Sequence, residues 1–196
     1  MGEIKSAREI AMEKVEKLGK ATEEERLKWK YAPEGEQLAV RYIREGCNLV
    51  LELGQYDDNI RKHVTAGVSQ VLIRKITLPN SDLAKRDNRR AMDGLKVVKR
   101  DQVALENVFS KMRRIFDHYS GEGEQQRKQA YKALKAEFEA QVRQALQQQL
   151  GTLMGVRIDV ENQPQFQAEW RRRLIQLDSQ YLTLLNEYKQ ELSTIS

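Results

Sequence analysis

A chain of 196 residues with 40% hydrophobic and 32% charged side chains and a mean hydropathy of −0.71 must build its core from narrow apolar stripes on polar elements. Apolar runs such as Leu49-Val50-Leu51 fall far short of the ~20 residues that cross a bilayer, so no membrane span is expected. The net charge of +5 is uneven: residues 1–58 hold 10 Lys/Arg against 13 Asp/Glu, residues 59–119 hold 14 against 6, and residues 120–196 hold 10 against 10.

Ala, Leu, Glu, Lys, Gln and Arg dominate and only Pro33, Pro79 and Pro164 interrupt, which favours helix throughout. Near the N-terminus, Ser6 with Glu9 has capping-box spacing, and Ile4, Ala7, Ala11, Val15 and Leu18 recur every three or four residues. Thr22 with Glu25 repeats the capping spacing before Pro33 breaks the pattern. Residues 1–33 therefore read as a helical arm, and 34–196 as a long-helix bundle.

Within 34–76, Leu49, Leu53, Tyr56, Ile60, Val64, Val68 and Val71 form a stripe. Gly46, Gly54 and Gly67 weaken it, with a break expected at Gly46 or Gly54. Pro79-Asn80-Ser81 stops one helix and starts the next. Over 81–119, Ala91, Leu95, Val98, Gln102, Leu105, Phe109, Met112, Phe116 and Tyr119 alternate spacings of four and three, predicting one unbroken helix with a heptad seam. Val108 and Ile115 widen that seam, and Gln102 is a polar residue within it, setting register or marking a solvated level.

Ser120-Gly121-Glu122-Gly123 reads as a tight connector, making the helix at 124–151 an antiparallel neighbour of the preceding one. Its stripe is Tyr131, Leu134, Phe138, Val142, Leu146, Leu150 and Leu153. Val156, Ile158 and Val160 alternate with polar residues, so 155–161 is expected to be extended. Pro164 opens the last helix, whose stripe is Phe166, Trp170, Leu174, Leu177, Tyr181, Leu184, Tyr188 and Leu192. The fold expected is all-α: an elongated antiparallel bundle with coiled-coil-like seams.

Chemistry is sparse. No phosphate-binding glycine loop, H-E-x-x-H, C-x-x-C or G-x-S-x-G occurs. His63 and His118 lie apart, and Ile60 and Ile115 stand where a di-iron bundle needs Glu three residues earlier. No catalytic, cofactor or metal residue is assigned. Cys47 has no partner for a disulfide, which points to a reducing, cytoplasmic setting.

The one feature above background is basic. In the heptad register, Lys85, Lys99 and Arg113 fall at e, Arg86, Arg100 and Arg114 at f, and Arg89 and Lys96 at b. These eight residues would make an outward ridge that docks a partner protein or tracks phosphates. The alternatives are a solvated face and a surface for the acidic N-terminal segment. No aromatic interleaves the ridge for base stacking. The expectation is a non-catalytic scaffold, adaptor or assembly subunit that contacts a protein partner or itself. Nucleic-acid binding is the alternative.

Overall fold

The computed structural model describes residues 21–150 and 159–196. The first predicted helix and residues 151–158, with most of the expected extended segment, lie outside them. Helix makes up 85% of the described residues and no strand occurs among them, so the protein is all-α. The helices are α1 (Glu23–Glu45), α2 (Leu49–Gly54), α3 (Asp58–Lys75), α4 (Asp82–Val98), α5 (Gln102–Ser120), α6 (Glu122–Leu150) and α7 (Pro164–Thr194).

The caps follow the sequence. Thr22 and Glu25 form the reciprocal capping box of α1, and Gly46 ends that helix in the left-handed region at φ 77°. The Asn48 side chain accepts from Val50 and Leu51 to start α2. One break was expected, at Gly46 or Gly54; the chain breaks at both, at Gly46 and after Gly54. Pro33, however, lies inside α1. The helix survives the lost amide beside its closest contact with α3, at Ala32 and Gly35.

The predicted helix 81–119 is two helices, parted at residues 99–101. Asp101 accepts from the Ala104 amide at 2.9 Å and starts α5. The Gln102 side chain is exposed and donates to the carbonyls of Lys96 (2.9 Å) and Lys99 (2.6 Å), closing the end of α4. The Arg100 and Asp101 amides both donate to Ser196 O. The apolar spacing runs through the break in phase, which is why it read as one helix.

The chain divides into two compact units. The first holds the described residues up to Ile76 with Arg86–Leu105 and Leu192–Ser196. Here α1 and α3 cross and touch backbone to backbone. A Cβ on Gly35 would lie 2.0 Å from Val64 O, and one on Gly67 would lie 2.1 Å from Ala32 O. Gly94 of α4 sits instead against side chains, those of Leu72, Tyr42 and Leu49. Around these contacts Leu38, Ile43, Val68, Leu72, Ile76 and Leu95 are buried. Arg90 donates to Ile43 O at 2.7 Å, fastening α4 to the end of α1.

The second unit holds Thr77–Lys85 and Glu106–Glu191. In it α5 and α6 do not turn back on each other. Gly121 keeps helical bonding, its amide donating to Asp117 O and its carbonyl accepting from Gln125, so the chain continues in one direction. The α7 helix lies antiparallel to both in succession. Lys111 pairs with Glu191, His118 meets Tyr181, Arg127 pairs with Asp178, Glu137 pairs with Arg173, and Phe138 meets Phe166. From Lys111 to Phe138 this tandem runs about 40 Å at 1.5 Å per residue. Its far end is packed by Leu134, Val160 and Phe166, with Tyr131, Phe138, Val142 and Trp170 around them. The Tyr131 ring stands edge-on to both Phe166 and Trp170. Val108, Phe109, Met112 and Ile115 of α5 are buried, as the widened stripe requires. On α7 it is Leu185 that is buried, at 1% exposure, whereas Leu184 is 41% exposed.

Candidate functional site

The second unit carries a groove of about 550 Å³ between α5 and α7, with Gln126 of α6 at its end. Helical spacing builds it: Lys111, Arg114, Ile115 and His118 share one face of α5, and Leu177, Tyr181, Leu184 and Tyr188 share one face of α7. Lys111 is paired with Glu191 at 2.9 Å and lies 5.6 Å from the centre of the Tyr188 ring. Both nitrogens of His118 are engaged, Nδ1 with the Tyr181 hydroxyl at 2.8 Å and Nε2 with Glu122 at 2.9 Å. The imidazole is thereby fixed at the mouth of the groove. Arg114 has no acidic partner among the described residues, and none of the lining residues is a carboxylate.

Beneath the His118 end lies a polar junction that ties the three helices together. Arg127 Nη2 donates to Tyr119 O at 2.8 Å, and its guanidinium lies 3.9 Å from the centre of the Tyr119 ring. Arg127 Nη1 and Asp178 Oδ1 are 3.6 Å apart, an ion pair longer than a hydrogen bond. The Tyr119 hydroxyl donates to Asp178 at 3.3 Å. Burial, then the Asp178 charge, push that hydroxyl above its ordinary pKa. Gly123 leaves room for the Tyr181 hydroxyl, which would lie 2.8 Å from a Cβ there.

Two other hollows are closed by their own charges. One of about 300 Å³ in the first unit is lined by Glu34, Arg41, Glu52 and Tyr56, where Arg41 pairs with Glu52 at 2.6 Å and Tyr56 donates to Glu34. Another of about 500 Å³ between α6 and α7 holds Arg173 paired with Glu137.

The eight basic residues do not share one helix. Lys85, Arg86, Arg89 and Lys96 are on α4, Lys99 and Arg100 are in the break, and Arg113 and Arg114 are on α5. Lys85 pairs with Asp82 at 3.3 Å, Arg86 with Asp87 at 3.5 Å, and Arg113 with Glu106. Lys99, placed outward by the heptad, is half-buried and donates to Ile195 O, and burial pushes its pKa down. Lys96 is exposed and engaged. Arg89, Arg100 and Arg114 are exposed and have no acidic partner among the described residues. Of the eight, only Arg114 lines the groove.

Sequence reasoning did not single out Lys111, and it read Tyr181 and Tyr188 only as members of the apolar stripe of the last helix. Lys111 and His118 are seven residues apart, as are Tyr181 and Tyr188, so each pair was visible as a face. That the two faces oppose each other depends on α7 pairing with α5, which spacing does not encode. His63 is buried in α3, and its Nε2 has no hydrogen-bond partner among the described residues. No group of three metal-ligating side chains occurs among the described residues, and none of their helices is long and apolar enough to cross a membrane.

The profile of a family of unknown function (DUF6657) matches residues 51–194. The chain belongs to that family. No curated protein and no solved structure matches it. Every residue of the groove, and all eight basic residues, fall inside the DUF6657 span, whereas the whole of α1, Gly35 included, precedes it.

Proposed function

We propose that this DUF6657 protein is a non-catalytic helical scaffold or assembly subunit that works through helix–helix contacts, with a second copy of the chain as its first partner. The observation that carries this reading is a second apolar edge on α7. Ile175 is 69% exposed and Leu182 is 43% exposed. They stand seven residues apart, so both lie on one face, two turns from each other. A helix that buries one stripe and leaves another in water is suited to pack against a further helix in a coiled-coil manner. The single cysteine supports a reducing, cytoplasmic setting.

Sedimentation of the full chain tests the reading. The wild type should associate in a concentration-dependent way, and Ile175→Glu with Leu182→Glu should sediment as a monomer of unchanged helicity. A wild type that stays monomeric at its highest soluble concentration would sink it.

A second reading, nucleic-acid binding, is favoured by Arg89, Arg100 and Arg114, which are exposed and have no acidic partner among the described residues. It requires affinity that falls steeply with salt, with a log–log slope of about −5 for six phosphate contacts. It also requires that replacing all three arginines with Glu abolish binding.

A further inference from the structure

We propose that the groove between α5 and α7 is a binding site for a small organic anion with a flat apolar body. The walls supply the apolar part: Ile115, Leu177 and Leu184 with the rings of Tyr181 and Tyr188. At about 550 Å³ the space is of the size that encloses a drug-sized molecule. Leu184 is 41% exposed within it, an aliphatic side chain that a ligand would cover.

Charge selects the ligand class. The lining holds cations and no carboxylate. Lys111 is held by Glu191, and His118 is held by Tyr181 and Glu122. Arg114 is left with a planar fork of five donors and no acidic partner among the described residues, the geometry suited to a carboxylate, sulfonate or phosphate. The ordered surroundings matter as much as the charge. His118 and Lys111 flank Arg114 at spacings of four and three along one helical face, and each is pinned to α7, so the walls are in place before a ligand arrives.

The probe pair is anilinonaphthalene sulfonate, an aromatic anion, and its uncharged counterpart phenylnaphthylamine, titrated by fluorescence into the full chain. The sulfonate should saturate at one site per chain. Arg114→Gln should weaken it about tenfold or more, the size of a charge-assisted hydrogen bond, while leaving phenylnaphthylamine binding unchanged. Arg113→Gln, next in sequence but paired with Glu106, should change neither. Arg114 is exposed and contacts no acidic partner among the described residues, so the variant should keep wild-type helicity by circular dichroism. The proposal is overturned if the sulfonate does not saturate, if Arg114→Gln leaves its affinity unchanged, or if Arg113→Gln weakens it equally. The last two outcomes would place the dye on the exposed Ile175 edge or on general surface charge.

Discussion

The two units join their helices by opposite means. The α1–α3 pair removes side chains: Gly35 and Gly67 let one backbone rest on the other, with no space at either position for even a methyl group. The α6–α7 pair fills the space instead, with Tyr131, Phe138, Phe166 and Trp170 stacked edge to face. In the first arrangement the contact is steric and specific to glycine. In the second it is apolar area and ring geometry, which tolerate change in proportion to the volume lost. The same all-α fold therefore holds regions with different rules for substitution.

The largest effect is expected in the filled region. Phe166 is fully buried at the centre of its cluster, so Phe166→Ala should cost about 3–5 kcal/mol in urea unfolding. Phe166→Leu, which keeps most of the volume, should cost about 1.5 kcal/mol or less. Equal losses for the two would mean that the cluster depends on ring geometry alone, and the contrast between the units would blur.

In the emptied region the ordering of side chains reverses. Gly67→Ala adds one carbon that would lie 2.1 Å from Ala32 O, a backbone atom that cannot rotate away. The two helices must separate, and the cost should reach or pass the ~3 kcal/mol upper end of ordinary overpacking. A neutral Gly67→Ala would show that α1 and α3 can part without loss.

How much of this was legible follows from what periodicity records. Capping pairs such as Thr22 with Glu25 were plain, because each satisfies amides within four residues of itself. The buried face of Leu105, Val108, Phe109, Met112 and Ile115 was plain for the same local reason. The break at residues 99–101 was not, since the stripe continues in phase on both sides and the closing bonds come from Gln102 and from Ser196, ninety-odd residues away. Gly121 misled because glycine permits a reversal without requiring one; here it keeps helical hydrogen bonds and α6 runs on. Gly67 looked like a flaw in α3 and is instead its contact surface. The groove combined both difficulties. Its faces were visible on α5 and α7 separately, but their apposition rests on a chain direction that the connector did not disclose.

The polar junction offers a smaller and pH-dependent test. Burial and Asp178 raise the folded-state pKa of Tyr119 above its ordinary 10.0. A raised folded value means the contribution is complete below pH 10 and is lost as pH climbs through the folded value. Thermal stability should therefore fall above pH 10, and Tyr119→Phe should remove part of that fall. Tyr42, Tyr56 and Tyr131 are also shifted upward by burial, so the informative quantity is the difference between variant and wild type at each pH. An identical alkaline decline in both would show that Tyr119 is not held neutral by its neighbours.

The smallest expected effect has the opposite sign and bears most directly on the comparison. Gly54 closes α2 with nothing within 4 Å of the Cβ it lacks, and its φ is not positive. Gly54→Ala meets no obstacle and restricts the unfolded chain, so it should stabilise by about 0.4–1 kcal/mol. Gly46 sits between the extremes: its added Cβ would lie 3.8 Å from an Arg90 nitrogen, but its φ of 77° would strain any side chain by about 1–2 kcal/mol. One substitution at three glycines of the same unit thus separates three causes. Gly67→Ala reports backbone contact, Gly46→Ala reports conformation, and Gly54→Ala reports chain entropy alone. If urea midpoints placed Gly67→Ala beside Gly54→Ala, at or above wild type, the case for a backbone-to-backbone crossing at α1 and α3 would fail.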